Sequence, residues 1–298
     1  MRGRAYWEGR TEQLFEAQDK RNADLDKRLV AEYNRTAASI EKDIASYYTK
    51  YGQDDVVKYR KLVKSLSKRE RDLLYQNYEK FAEVYPKYMH LMPVRKSIYK
   101  LNRLEGLQLA VRQNLLELGA IEQAEFNKAL GTAYQQGYLS TMKGLRNSNA
   151  FFSVNNSALE RTLNARWING ENFSDRIWRN KEKLINTLNT EVRDAFIRGE
   201  GYTKMRRIVQ QRAMVGEFDA RRLIETESAF MMNQANGQAF QDEGILKYEN
   251  SAVLDSKTSE ICQAMNGEQF LFSEARVSEN YPPYHSFCRT IVIPVENG

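Results

Sequence analysis

The distribution of proline constrains the fold of this chain more than any other feature of its sequence. Five prolines occur among the 298 residues, at positions 86, 93, 282, 283 and 294. Proline is the strongest breaker of helices, because it lacks a backbone N–H donor and clashes with the preceding turn. The absence of proline between Pro93 and Pro282 therefore predicts long, uninterrupted helices through the middle of the chain.

Apolar periodicity predicts the helices of the N-terminal half. From Val30 to Tyr51 apolar residues recur at alternating spacings of three and four, which is the stripe of a helix packed along another helix. Ser67 and Glu70 have the spacing of a capping box and predict a helix start. The predicted segments are a helix over 10–51, a helix from 68 to the Pro86–Pro93 break, helices over 101–118 and 122–145, and a loop or linker over 147–157.

The C-terminal half predicts a second helical group and then β-structure. The predicted helices are 158–166, 173–198, 202–213 and 217–242, with Gly216 between the last two and Gly244 at a C-terminal cap. Segments rich in β-branched and aromatic residues then predict strands over 247–254, 268–272 and 289–293. We expect a mainly α (α+β) fold, an elongated multi-helix body with a small β-containing cap. Its segments are an elongated, partly basic helical region over 1–150, a second helical group over 151–244 and a three-stranded β cap over 245–298.

The composition is that of a globular protein. Hydrophobic residues make up 42% and charged residues 28% of the chain. No segment approaches the roughly 18 consecutive apolar residues of a membrane span, and the N-terminus lacks the apolar segment of a secretory signal. We therefore expect a protein that is made in a cytoplasm and is not secreted by a signal peptide.

Positive charge is concentrated in one segment. The formal net charge is only +6, but residues 54–100 carry 12 Lys and Arg against 6 Asp and Glu. Such a segment can bind nucleic acid through its phosphates without sequence preference. The alternative is an ordinary solvated helix face. The residues predicted to contact phosphate are Arg60, Lys61, Lys64, Lys68, Arg69 and Arg71.

Both cysteines and one of the two histidines fall close together near the C-terminus. Cys262, His285 and Cys288 offer the thiolate and imidazole ligands that zinc prefers. The sequence leaves open packed thiols without metal, a structural metal, a disulfide and a catalytic metal. The motifs of the common nucleotide-binding, serine-hydrolase and zinc-protease sites are absent from the sequence. We therefore predict a structural or interaction protein rather than an enzyme.

Glu227 falls within an apolar stripe of the predicted helix 217–242. It follows Ile224 by three residues and precedes Met231 by four. A carboxylate on a core-facing stripe needs an ionic or hydrogen-bonding partner, because burying it alone costs several kcal/mol. We predict an ion pair between Glu227 and Arg289 of the β cap. The alternative is that Glu227 lies at the edge of the stripe in water.

Three C-terminal segments together form a pattern of known type. They are the helical pair Thr226-Glu227, the segment Asp255-Ser-Lys-Thr-Ser259-Glu-Ile-Cys262 with Gly267, and the segment Pro282-Pro-Tyr-His285-Ser-Phe-Cys288-Arg289-Thr290. This pattern resembles the minor head protein (head morphogenesis) family of tailed bacteriophages, which includes the Mu F-like proteins. The resemblance covers roughly 200–295, so that residues 200–244 and the cap would form one module. Ser259 and Thr290 stand where the family pattern has cysteines, which weakens a four-cysteine metal site.

The resemblance implies a structural protein of the virion that lies in the capsid interior or near the portal. Its expected partners are the portal protein, the major capsid and scaffold proteins, and packaged double-stranded DNA, with no membrane involved in assembly. The implied roles are head morphogenesis and DNA ejection, without a cofactor unless the zinc alternative holds. Glu227 and Arg289 match family positions. The alternative functions are a metal-dependent hydrolase or toxin-type enzyme that uses Cys262, His285 and Cys288, and a host-encoded helical scaffold.

Overall fold

The protein is mainly helical, with a few short strands near its C-terminus, which confirms the predicted fold class. The computed structural model describes residues 3–146, 153–256 and 258–295. The α-helices are α1 (Arg4–Tyr51), α2 (Tyr59–Leu62), α3 (Lys68–Val84), α4 (Arg103–Arg146), α5 (Asn156–Leu163), α6 (Phe173–Ile197), α7 (Tyr202–Asp242) and α8 (Glu260–Met265). The strands are β1 (Gly52–Gln53), β2 (Val56–Val57), β3 (Lys247–Ser251), β4 (Gln269–Leu271) and β5 (Ile291–Val295). Among the described residues, no helix combines the length and apolar character needed to span a bilayer.

The helix starts and stops predicted from local sequence signals are confirmed where a cap or a proline sets them. Ser67 accepts a hydrogen bond from the Glu70 N–H, and the Glu70 side chain accepts one from the Ser67 N–H, so α3 begins with a complete capping box. After α3 the chain forms 3₁₀ turns over Pro86–Leu91 and Arg95–Lys100. Gly244 has a φ of +75° just after α7, as a C-terminal cap requires.

The predicted interruptions within the long helices are wrong. The segments 101–118 and 122–145 form the single helix α4, and the segments 202–213 and 217–242 form the single helix α7. Glycine permits close packing here rather than ending the helix. A Cβ atom on Gly119 would lie 2.8 Å from the Trp178 ring, and one on Gly216 would lie 2.5 Å from the Tyr33 ring.

The described part of the predicted loop 147–157 is short, because residues 147–152 lie outside the described residues. Asn155 caps α5, since its side chain accepts hydrogen bonds from the N–H groups of Ser157 and Ala158. The helix therefore begins inside the segment that the sequence assigned to a loop.

The chain forms two compact units. One comprises the described residues of 1–27, 125–176 and 220–298, and the other comprises 28–124 and 177–219. Both units draw on segments that are distant in sequence. The division into 1–150, 151–244 and 245–298 stays a prediction.

In the unit formed by 28–124 and 177–219, a buried ionic contact lies within the helical core. Lys181, only 2% exposed at its side chain, donates a hydrogen bond to Glu122 Oε2 at 2.5 Å. The buried Tyr33 hydroxyl also donates to this carboxylate, at 2.9 Å, and accepts a hydrogen bond from Lys181. Burial, with the nearby Glu122 charge, raises the pKa of Tyr33. All three side chains are thus paired inside the core, as buried polar groups must be.

The other unit contains the three-stranded antiparallel sheet, in the order β4-β3-β5. Central β3 pairs Tyr248 with Phe270 on one side and Asn250 with Val292 on the other. The three predicted C-terminal strands are confirmed, with ends that differ by a few residues. The sheet, part of α1 and the end of α7 share a buried apolar cluster, formed by Trp7, Phe240, Ile245, Tyr248, Tyr281, Ile291, Val292 and Ile293. We call residues 245–295 the cap.

Candidate functional site

Buried polar contacts along α7 hold the parts of this unit together. Glu227 is 2% exposed, and its Oε1 is paired with Arg176 of α6, which is 6% exposed. Glu227 Oε2 accepts a hydrogen bond from Trp167 Nε1 at 3.1 Å. The Arg176 guanidinium lies 5.2 Å from the centre of the Trp167 ring, and that ring stacks on Phe230 at 4.7 Å. A carboxylate, a guanidinium and an indole therefore form one buried contact, which we call the Glu227 contact.

Glu227 is buried and paired, as the sequence predicted, but the predicted partner Arg289 is wrong. Arg289 forms its ion pair with Asp255 at the surface of the cap, where the two side chains are 43% and 38% exposed. Arg176 was missed because nothing local marks it: it lies 51 residues before Glu227 and belongs to another helix. The cost of burial predicts that a partner exists, but it does not identify which cation folds against the carboxylate.

Asn233 joins α7 to the last strand and was also missed by the sequence analysis. Its side chain is fully buried, donates a hydrogen bond to the Thr290 carbonyl at 3.1 Å and accepts one from the Val292 N–H at 3.1 Å. The Tyr281 hydroxyl donates to the Asn233 carbonyl at 2.5 Å. The amide thus satisfies the Val292 N–H of β5 and the carbonyl of Thr290, the residue just before that strand.

The structure brings Cys262, His285 and Cys288 together, and we call these three residues the thiol–imidazole cluster. The side-chain ligand atoms all lie within 4.8 Å of one another. Cys262 Sγ is 3.1 Å from His285 Nε2 and 3.7 Å from Cys288 Sγ, so the two thiols touch but are not bridged. Both cysteines are buried. The concentration of these residues in the sequence therefore corresponds to a real cluster in space.

Local structure places each member of the cluster. Ser259 caps α8 by accepting a hydrogen bond from the Cys262 N–H, which sets Cys262 in the first turn of the helix. His285 and Cys288 come from the loop before β5, where Phe287 has a φ of +60° and turns the backbone sharply. Ser259 Oγ lies 2.8 Å from His285 Nε2 and so borders the cluster.

The two thiols have opposite acidities. The hydrogen bond from Cys288 lowers the pKa of Cys262 to about 4, against the effect of burial, and Ser259, Thr290 and His285 lower it further. The same hydrogen bond, together with burial, raises the pKa of Cys288. The contact between the two sulfur atoms therefore favours ionisation of Cys262 over that of Cys288. Such a pair is a ready source of a sulfur ligand or nucleophile.

A pocket of about 770 Å³ opens beside the cluster. His285 and Cys288 form part of its wall, with Ser259, and residues from the start of α1 and the middle of α7 form the rest. Burial raises the pKa of Asp19 and of Glu225 in this wall, although Asn22 donates a hydrogen bond to Glu225. A second, much smaller pocket of about 20 Å³ is lined by two members of the cluster, Cys262 and His285, and by neighbours that include Ser259 and Thr290.

The six basic residues predicted to contact phosphate do not share one environment. Arg60, Lys64, Lys68 and Arg69 are exposed. Two others are used within their own unit, since Lys61 donates to the Tyr51 carbonyl at 3.1 Å and Arg71 donates to the Leu66 carbonyl at 3.1 Å. Contact with DNA stays a prediction, and the four exposed residues are the ones that can make it without breaking an internal hydrogen bond.

Fold and site together define a mainly helical protein in which a small β cap is held to a long helix by buried polar contacts. A family model described as Phage Mu protein F like protein matches residues 186–293. The matched segment runs from within α6 through α7 to β5, and this match confirms the resemblance to the phage minor head protein family. No curated protein and no solved structure matches the chain significantly.

Proposed function

We propose that this protein is a bacteriophage minor head protein, a structural component of the virion that lies in the capsid interior or near the portal. The observation that carries the proposal is the Mu F-like match over 186–293. Internal pairing of polar residues from that segment supports a structural role. Glu227 pairs with Arg176, which lies before the matched segment, and Asn233 pairs with the Thr290 carbonyl and the Val292 N–H.

The test is the protein content of purified phage particles. Mature particles separated by density should contain this chain at low copy, detected by quantitative mass spectrometry against the major capsid protein. Proheads assembled without this gene product should be fewer, or should lack normal DNA content. Its absence from both proheads and mature particles would rule out the proposal.

We further propose that the protein binds the portal and capsid or scaffold proteins, and binds packaged DNA through Arg60, Lys64, Lys68 and Arg69. These four side chains are exposed and lie within the basic segment of the chain. Binding of this kind releases counterions, so the logarithm of the association constant falls with the logarithm of salt concentration by about 0.9 per phosphate contact. DNA binding by this surface would support a part in holding or ejecting the genome.

A four-alanine variant of these residues tests DNA binding. If all four side chains contact phosphate, the slope of the salt dependence should decrease by up to about 4 in gel-shift or fluorescence-anisotropy titrations. The matched control replaces four exposed lysines elsewhere, Lys20, Lys128, Lys143 and Lys247, and removes the same charge. Equal slopes for the two variants would show that net charge alone, and not this surface, controls binding.

A metal-dependent hydrolase or toxin-type enzyme is the less supported function. It would use Cys262, His285 and Cys288, which do lie together. The family match favours a head protein instead. We therefore propose that the thiol–imidazole cluster has no catalytic role.

A further inference from the structure

We propose that the thiol–imidazole cluster binds one Zn²⁺ ion through Cys262 Sγ, Cys288 Sγ and His285 Nε2. The inference goes beyond the head-protein proposal and does not depend on it. It rests on the distances between the ligand atoms, on the hydrogen bonding of the imidazole and on the access to the cluster.

The distances between the ligand atoms are close to those of a tetrahedral zinc site. Zinc–sulfur bonds of about 2.3 Å and zinc–nitrogen bonds of about 2.0 Å separate two sulfur ligands by about 3.8 Å, and a sulfur and a nitrogen by about 3.5 Å. Here the two Sγ atoms are 3.7 Å apart, and Cys262 Sγ is 3.1 Å from His285 Nε2. Because no ligand pair exceeds 4.8 Å, a movement of about 1 Å brings all three into the zinc geometry.

Hydrogen bonding fixes the imidazole in the form that a metal needs. His285 Nδ1 lies 2.7 Å from the Ser286 carbonyl oxygen. A carbonyl oxygen can only accept a hydrogen bond, so Nδ1 carries a proton in this contact and Nε2 is the ring nitrogen left to bind a metal. Nε2 lies 3.1 Å from Cys262 Sγ and 2.8 Å from Ser259 Oγ. A ring N–H bound to a backbone carbonyl is the usual support for a histidine that ligates a metal.

The cluster also has a route for the ion to enter. Cys262 and His285 line the small pocket, and His285 and Cys288 line the large one, so the cluster is reached from both. Ser259 Oγ, 2.8 Å from His285 Nε2, borders the position left for a fourth ligand. A disulfide accounts for less of this arrangement, because it would join the two sulfur atoms at about 2.05 Å and leave no reason for the imidazole to face them.

The predicted zinc site would join two segments of the cap. Cys262 lies in the first turn of α8, and the other two ligands lie in the loop before β5, 23 and 26 residues further along the chain. The strand that follows this loop, β5, is itself held by the hydrogen bond to Asn233 and by pairing with β3. A metal bound here would therefore hold α8 and the loop together and stiffen the cap.

Zinc content of the full-length protein tests the proposal. Protein purified under reducing conditions without chelator should contain about one zinc per chain by inductively coupled plasma mass spectrometry. Titration of the metal-free, reduced protein with Co²⁺ should give thiolate-to-cobalt absorption and the intense visible bands of a tetrahedral site. The variants Cys262→Ser, Cys288→Ser and His285→Ala should lose the zinc and these bands.

His90→Ala is the matched control, because His90 is exposed and its Nδ1 bonds to the Lys87 carbonyl within its own turn. It should retain the zinc of the parent protein. The cobalt titration uses the unaltered chain, so it gives a result even if a cluster variant fails to fold. The proposal is overturned if the parent binds neither zinc nor cobalt while both thiols are reduced, or if the cluster variants keep a full equivalent of zinc. Particle content, which tests the head-protein proposal, is measured separately and does not depend on either metal result.

Discussion

Replacing Glu227 by glutamine is the sharpest test of what the Glu227 contact contributes to stability. The change removes a negative charge and almost no volume from the Glu227 contact, whose two ionic side chains are 3% and 7% exposed. Glutamine still offers an oxygen to Trp167 Nε1, so the hydrogen bond at this position can persist. The variant therefore tests the charge of the carboxylate and little else.

The expected loss of stability is large because Arg176 would be left buried without its counterion. Removing one partner of a buried ion pair costs about 3–5 kcal/mol of unfolding free energy. For a unit of this size, such a loss lowers the melting temperature by roughly 10 °C. The cost comes from a buried guanidinium that has lost the Glu227 carboxylate, so replacing both partners should cost far less stability. The double variant Glu227→Gln/Arg176→Met should regain most of the lost stability, since apolar replacements of buried pairs are often neutral.

Thermal and urea unfolding followed by circular dichroism measures these effects. The matched control is Glu279→Gln in the cap, where the ion pair with Arg276 is 68% and 75% exposed and is worth less than about 1 kcal/mol. If Glu227→Gln melts within a degree of the parent, the buried carboxylate contributes nothing and the reasoning is wrong. If the double variant is as unstable as the single one, the loss does not come from the unpaired guanidinium.

Three further changes test other parts of the structure. Gly216→Ala should destabilise the protein by about 1–3 kcal/mol in urea unfolding, because its Cβ would lie 2.5 Å from the Tyr33 ring. The control Gly131→Ala, with no atom within 4 Å of the new Cβ, should be neutral or stabilising. Equal effects of the two changes would contradict the close-packing role of Gly216. Glu225→Gln should raise the melting temperature at pH 7, because burial and two neighbouring aspartates raise the pKa of Glu225 and make its charged form unfavourable. Because the pKa of Glu225 is higher in the folded than in the unfolded protein, this carboxyl stabilises the folded parent below its ordinary pKa and loses that stabilising effect as the pH rises. The stability advantage of Glu225→Gln should therefore disappear toward about pH 4. A variant less stable than the parent at pH 7 would contradict the raised pKa of Glu225. Asn233→Leu should leave the Thr290 carbonyl and the Val292 N–H without this partner, at a cost of about 2–4 kcal/mol. Hydrogen exchange of residues 291–295 should then increase, and unchanged exchange there would show that the amide does not hold the strand.

Proline spacing and capping signals predicted the helical architecture because both act through local backbone chemistry. The capping box at Ser67 and Glu70 needs only residues three apart, and it forms as predicted. Glycine was a poorer guide, because the same residue ends helices and permits close packing. Gly244 adopts a positive φ and ends α7, whereas Gly216 continues the helix against an aromatic ring. Only the packed neighbours distinguish the two uses, and those neighbours lie far away in sequence.

Some site residues were predicted from the sequence and others were not, because contacts between residues distant in sequence depend on the fold. Cys262, His285 and Cys288 were identified because they are residue types that can share a metal or thiol site and because they lie within 27 residues of one another. The partner of Glu227 was not identified, because Arg176 and Arg289 lie at similar distances along the chain, 51 residues before it and 62 after it. Electrostatics required a cation in either case. The choice between them depends on burial: Arg176 lies at the start of α6, in the few residues of that helix that belong to the same unit as Glu227, while the Arg289 side chain is partly exposed and pairs with Asp255 at the surface of the cap. The sequence can therefore predict that a buried carboxylate is paired, but the fold determines which arginine is buried against it.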